Sequence, residues 1–196
     1  MRAERRMLIL FPKLTARDLC VIAVLTALCV GVSYALIGLP NVNVMDLVVF
    51  VTGFIFGAPI GVATGVLAWF VYGTINPLGF NVPIWLATMA GEAAFGAVGG
   101  VLGRMSCQYA GKPVNAFRFS CEMALWGLIV TIIYDLFTNL VYAYAFQVPV
   151  VAAIVAGWFL PPWFGILHGV SNLLLFFSAV YPLTKAIGTL RGGDKA

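Results

Sequence analysis

From Asp18 to Gly103, and again from Phe119 to Thr184, the sequence contains no lysine or arginine. Charge of either sign is scarce: 9% of residues are charged, against roughly a quarter in soluble domains. A chain so poor in charge, 62% hydrophobic and with a mean hydropathy of +1.03, reads as an integral membrane protein rather than a soluble globule. Other absences narrow the chemistry. One histidine excludes a His-rich metal site, and HExxH is missing, so no resident metal or other cofactor is expected. Without a GxxxxGK[ST] loop the chain cannot itself power transport by nucleotide hydrolysis. Ser171 and His168 lie three apart on one predicted helix with no nucleophile elbow around the serine, which argues against a hydrolase. The four cysteines, Cys20, Cys29, Cys107 and Cys121, show no CxxC spacing and read as small buried residues.

The eleven basic residues fall in three short patches, Arg2 to Arg17, Arg104 to Arg118 and Lys185 to Lys195. Basic residues near the ends of spans stay on the cytoplasmic side, so patches sharing a side require an even number of crossings between them. Both termini are then cytoplasmic. The net charge of +4 is accounted for by patches that suit an anionic leaflet, and no nucleic-acid partner is needed. Turn-forming breaks at GLPNVN, GAPIG and GTINPLGFNVP divide the first stretch into four segments, and QVPVVAAIVAGWFLPP divides the second into two. The expected fold is an all-α bundle of six transmembrane helices, at roughly 18–38, 45–57, 60–73, 84–102, 119–146 and 161–184, forming one membrane domain. The basic, then apolar N-terminus imitates a signal peptide, but its apolar run is long and reads as a retained first helix. Val150 to Leu160 is too short to span and is expected on the outer face or re-entering it.

Small residues recur every fourth position in the first helix, at Ala23, Ala27, Gly31 and Ala35, a ridge suited to close packing either within the protein or against another membrane subunit. The ladder Gly53, Gly57, Gly61 and Gly65, interrupted by Pro59, marks a tight turn of architectural character. Acidic residues inside spans are rarer and more telling. Glu92 and Asp135 sit midway along helices 4 and 5. Asp135, Asn139 and Tyr142 share one helical face, as do His168 and Asn172 on helix 6. At about 1.5 Å per residue, Asp135 and His168 reach a common depth, and Glu92 lies near that of Asn172. One polar pocket or one buried hydrogen-bond network follows. The outer loops carry no lysine or arginine but hold Asn41, Asn43, Asn76, Asn81, Trp85 and Trp158; tryptophan there also serves as an interfacial anchor.

AVLTA (23–27), the run LPNVNVMDLVVFVTGFIFGAPIGVATG with its Asp46 and evenly spaced glycines, and NPLGFNVP followed by a Gly-rich helix ending GGVLGR resemble the substrate-binding S components of energy-coupling factor (ECF) transporters, and within them most nearly the cobalamin-type members. The resemblance implies a vitamin-binding subunit in a prokaryotic plasma membrane, whose partners are a transmembrane T component and two cytoplasmic ATPases that hydrolyse the ATP. It also implies that Ala23, Ala27 and Gly31 dock the T component and that no chemistry is done on the ligand. The residues add that a charge-poor entrance lined by Asn, Trp and Tyr suits a neutral heteroaromatic ligand, a corrinoid or a vitamin such as riboflavin, and not a polyphosphate. Candidate ligand contacts are Asn41, Asn43, Asn76, Asn81 and Trp158 in the loops, with Tyr72, Trp85, Asp135, Asn139, Tyr142, His168 and Asn172 deeper; Glu92 ranks behind them because loops usually vary to suit the ligand. The alternative is a stand-alone channel or proton-coupled carrier using Glu92, Asp135 and His168.

Overall fold

The computed structural model describes residues 14–76, 79–107 and 115–192, with side chains to 187. Arg2, Arg5, Arg6, Lys13, Lys112, Lys195, the Arg191 side chain and part of NPLGFNVP (Pro77 and Leu78) lie outside those residues. Seven helices follow one another among them: α1 (Ala16–Ala35), α2 (Val44–Phe56), α3 (Ala58–Thr74), α4 (Val82–Cys107), α5 (Ala116–Ala145), α6 (Val150–Phe159) and α7 (Phe164–Gly192). No strand occurs among the described residues. Four helices, α1, α4, α5 and α7, are long and apolar enough to cross a bilayer, which fits a membrane protein; α2, α3 and α6 are shorter.

Local sequence sets the boundaries. Thr15 and Asp18 form a capping box that starts α1, each side chain holding the other's backbone N–H. Asn43 and Asn115 cap α2 and α5 through their side-chain carbonyls. Between α2 and α3 the reversal takes one residue, Gly57, whose φ of 100° favours glycine, and Pro59 then enters the first turn of α3, where a missing N–H costs nothing. The turn expected at Pro59 therefore lies two residues earlier.

Side-chain pairs give the register. Gly61 faces Gly96, Trp69 reaches Glu92 and Gly73 faces Trp85, so α3 and α4 run antiparallel. Asp135 meets His168, Thr131 meets Asn172 and Phe119 meets Tyr181, which makes α5 and α7 antiparallel too. Asp46 with His168 and Phe50 with Phe176 set α2 parallel to α7. Arg17, Phe56 and Ile187 consequently share one end of the bundle, and α1 starts where α7 finishes. We call this the basic end. The connections 36–43 and 146–163, with the described residues 75, 76 and 79–81, gather at the other, uncharged end.

Three helices approach to backbone contact. A Cβ on Gly53 or Gly61 would collide with the Gly96 carbonyl, and one on Gly99 or Gly103 would strike the carbonyls of Phe50 and Phe54. The glycine ladder is thus the seam by which α4 lies in the hairpin of α2 and α3, a close approach that dispersion and backbone contact can hold in lipid. Outside the seam the usual solvent pattern is inverted: Val24, Leu125, Ile133 and Leu174 are exposed, whereas Asp46, Glu92, His168 and Asn172 are buried. The ridge Ala23, Ala27, Gly31 and Ala35 is exposed as well, with nothing within 4 Å of a Cβ placed on Gly31. Packing within the protein does not account for it. Cys29 is buried as expected and Cys121 half-buried, but Cys20 is exposed, because it lines the open groove that α1 forms with α2 and α7; the Cys107 side chain lies outside the described ones.

Gly96→Val should lower stability by about 3 kcal/mol, since rigid backbone faces the new methyls, whereas Gly31→Val should change it by less than about 0.5 kcal/mol. Unfolding midpoints of the two variants in one detergent check the difference.

Candidate functional site

The polar centre of the bundle is built on His168. Its Nδ1 lies 2.8 Å from Asp135 Oδ1 on α5, and its Nε2 lies 2.6 Å from Asp46 Oδ2 on α2. With both carboxyls ionised, both ring nitrogens donate and the ring is an imidazolium. Asp46 collects two further donors: Asn172 Nδ2 at 2.6 Å and, on its other oxygen, Asn43 Nδ2 at 2.5 Å. The Asn172 amide also reaches Thr131 Oγ1 at 2.8 Å. Asp135 has less support, its Oδ2 being buried without a partner. The Tyr134 ring stands edge-on to the imidazole, 5.6 Å away between centroids, and shields it on the α4 side, where it fills the space left by Gly91. Every member of this network is at most 8% exposed except Asn43, at the mouth.

Two cavities open at the uncharged end. The first, of about 300 Å³, lies among α1, α3 and the 36–43 connection, and Asn41, Asn43, Tyr72 and Asn76 line it. The second, of about 380 Å³, lies among α3, α4 and α5, and Asn76, Asn81, Trp85 and Tyr142 line it. No Lys, Arg, Asp or Glu lines either cavity. A near-continuous aromatic wall runs through them: Tyr34 on Tyr72, Tyr72 on Trp69, and Trp85 on Phe70 and Phe80, with ring centroids 5.3–5.6 Å apart.

Comparison with protein-family models, curated proteins and solved structures finds no match to this chain. The geometry therefore carries the functional argument.

The structure sorts most of the residues singled out from sequence into two groups and leaves Asn139 and Trp158 outside both. Asn41, Asn43, Tyr72, Asn76, Asn81, Trp85 and Tyr142 meet at the cavities. Asp135, His168 and Asn172 instead belong to the buried network, and Asn139 turns back to the Asp135 backbone carbonyl while packing against Gly157 of α6. Trp158 lies over Gly165, its indole nitrogen buried and without a partner, and lines neither cavity. Glu92 makes no direct bond to Asn172; it accepts from Trp69 Nε1 at 3.1 Å, and its carboxyl lies beside that of Asp46, which Asn172 holds. Some asparagines also serve the fold: Asn41 Nδ2 ties the first connection to the Phe164 carbonyl, and Asn81 caps the start of α4.

Asp46, Thr131 and Trp69 were not among the sequence candidates. Asp46 had a readable signal, an acid three residues after an N-capping asparagine inside a stretch almost free of charge. Trp69 had a weaker one, a tryptophan too far from a helix end to be an interfacial anchor. Thr131 had none, since its hydroxyl also bonds the Gly127 carbonyl, as threonines do throughout membrane helices.

Replacing His168 by Leu leaves two buried carboxyls facing an apolar side chain and should cost about 3–5 kcal/mol; replacing His168, Asp46 and Asp135 together by apolar residues should recover most of that loss. A cycle of single and combined variants, read by unfolding in detergent, measures the coupling.

Proposed function

We propose that this chain is the substrate-binding S component of an ECF-type importer for a vitamin or related micronutrient. The observation that carries the reading is the pair of uncharged, aromatic- and amide-lined cavities at the end of the bundle opposite its described basic residues. Stacking on Trp and Tyr and hydrogen bonds to Asn amides hold a neutral heteroaromatic ring, whereas a polyanion would find no cation. Cavities of this size stand at the lower edge of the usual ligand range, about 300–1,000 Å³, which favours a vitamin of riboflavin's class over a corrinoid.

In this reading the chain spans the plasma membrane of a prokaryote six times with both termini cytoplasmic. It binds ligand from outside and performs no chemistry; a T component and two ATPases supply the power stroke. The exposed ridge Ala23, Ala27 and Gly31 supports docking of the T component, because small residues facing lipid permit a partner helix to come close. Beside it an apolar groove of about 490 Å³ runs between α1 and α7 over α2, shaped for helices or acyl chains rather than for a polar ligand.

A second reading, a proton-coupled carrier, draws on the buried Asp46, Glu92, Asp135 and His168. It is weaker because His168 is clamped from both sides by carboxyls, an arrangement suited to holding helices together.

Affinity capture of the full-length protein from its native membrane should bring down a T component and two ATPases, and mass spectrometry should find a neutral ring-bearing metabolite bound to it. The double variant Ala23→Trp/Ala27→Trp should lose complex formation and uptake by at least tenfold. Unchanged capture and uptake in that variant would sink the S-component reading, and uptake into liposomes by this chain alone, driven by a pH gradient, would establish the carrier.

A further inference from the structure

We infer that Trp69 is a movable partition between the two cavities and that Glu92 is its latch, so that this pair sets the size of ligand the chamber admits. The inference rests on the reading of the cavities as a ligand site and goes beyond it in assigning a role to a buried acid that the site itself does not use.

Trp69 and Asn76, both on the α3 side, are the two residues that line both cavities. Trp69 borders open space in each cavity and is only partly buried, with the rest of its ring packed against the core. Its position is held by an edge contact with the Tyr72 ring, 5.3 Å between centroids, and by one polar tie, the hydrogen bond from Nε1 to Glu92 Oε2. Gly73, one turn on, has no Cβ to press on the indole; a side chain there would meet the rings of Trp85 and Trp69. On that side the indole is bounded by the Trp85 ring rather than by backbone, and a rotamer change of Trp69 breaks one hydrogen bond.

Glu92 is fully buried, one oxygen accepting from the indole and its carboxyl lying beside that of Asp46. A carboxyl in the apolar interior is costly, and one that serves packing alone would be better replaced by leucine. Beside Asp46 at the edge of the polar centre, it holds the indole by the one hydrogen bond that Trp69 makes. With the latch closed, the chamber is two small compartments. With it open, they become one chamber that takes a longer molecule, and a freed indole face is available for stacking.

The two compartments also differ in chemistry. The α4–α5 side is aromatic, with Trp85, Phe80, Tyr142 and Phe146, whereas the α1 side offers amides and the Ser33 hydroxyl, which is buried without a partner. The ligand described is uncharged and bipartite, an aromatic ring system carrying a polar tail that donates and accepts hydrogen bonds.

The test needs no ligand. In full-length protein with its four native cysteines changed to alanine, Ser33→Cys and Thr88→Cys place one thiol in each compartment, and a flexible bis-methanethiosulfonate reports their connection by the rate of bridging. Bridging should be slow in this parent and within twofold of it in Glu92→Gln, whose amide oxygen still accepts the indole hydrogen. It should be at least tenfold faster in Glu92→Leu and in Trp69→Phe, which keeps a ring but lacks the N–H, and faster still in Trp69→Ala. Single-thiol labelling by a monofunctional reagent at the parent rate verifies that each variant is folded. Equal bridging in Glu92→Leu, Trp69→Phe and the parent overturns the latch, and a parent that bridges as fast as Trp69→Ala overturns the partition. Because neither partner proteins nor a vitamin enter the experiment, its result stands apart from the capture and uptake assays that decide the transport reading.

Discussion

In a bilayer the hydrophobic effect does not press one apolar helix against another, so polar contacts and close backbone approach must choose the packing. Here an imidazole held between two carboxyls ties α2, α5 and α7 together, and glycine seams fit α4 into the hairpin of α2 and α3. The two devices depend on each other. Asp46 can meet His168 only because the glycine seam holds α2 inside the bundle, away from lipid, and the short α2 is tolerable there only because its polar side chain is satisfied.

The same constraint shapes the uncharged end. Asn43 is at once the cap of α2, a donor to Asp46 and part of a cavity wall, so the first connection is fixed to the centre of the bundle. Acids and the histidine are committed to holding helices, which leaves the cavities neutral. On the proposed reading, amides and aromatic rings on a polar scaffold would recognise an uncharged ligand by ring stacking and amide geometry rather than by desolvating a charge.

Much of the scaffold was legible because it follows from local rules. Hydrophobic runs and Gly, Pro and Asn breaks located the long helices to within a few residues at most ends, and the basic patches predicted that α1 and α7 begin and finish together. Helical spacing put Asp135 and His168 at one depth, where they meet at 2.8 Å. The site was read less completely. Asp135, His168 and Asn172 were grouped with ligand contacts, although their side chains are taken up by one another and by Asp46; one-dimensional spacing shows which residues share a face, not which partner that face meets.

What the sequence alone determined is the class of the protein, a charge-poor helical membrane chain with a basic end and an uncharged end, because composition and charge position act without reference to contacts. Only the tertiary structure decided that Asp46 completes the histidine clamp, that Glu92 serves Trp69, and that the Ala23 to Ala35 ridge faces outward. Each of those outcomes depends on the rotation of one helix against others far away in the chain, and a single residue's turn of about 100° separates a buried partner from one that faces lipid.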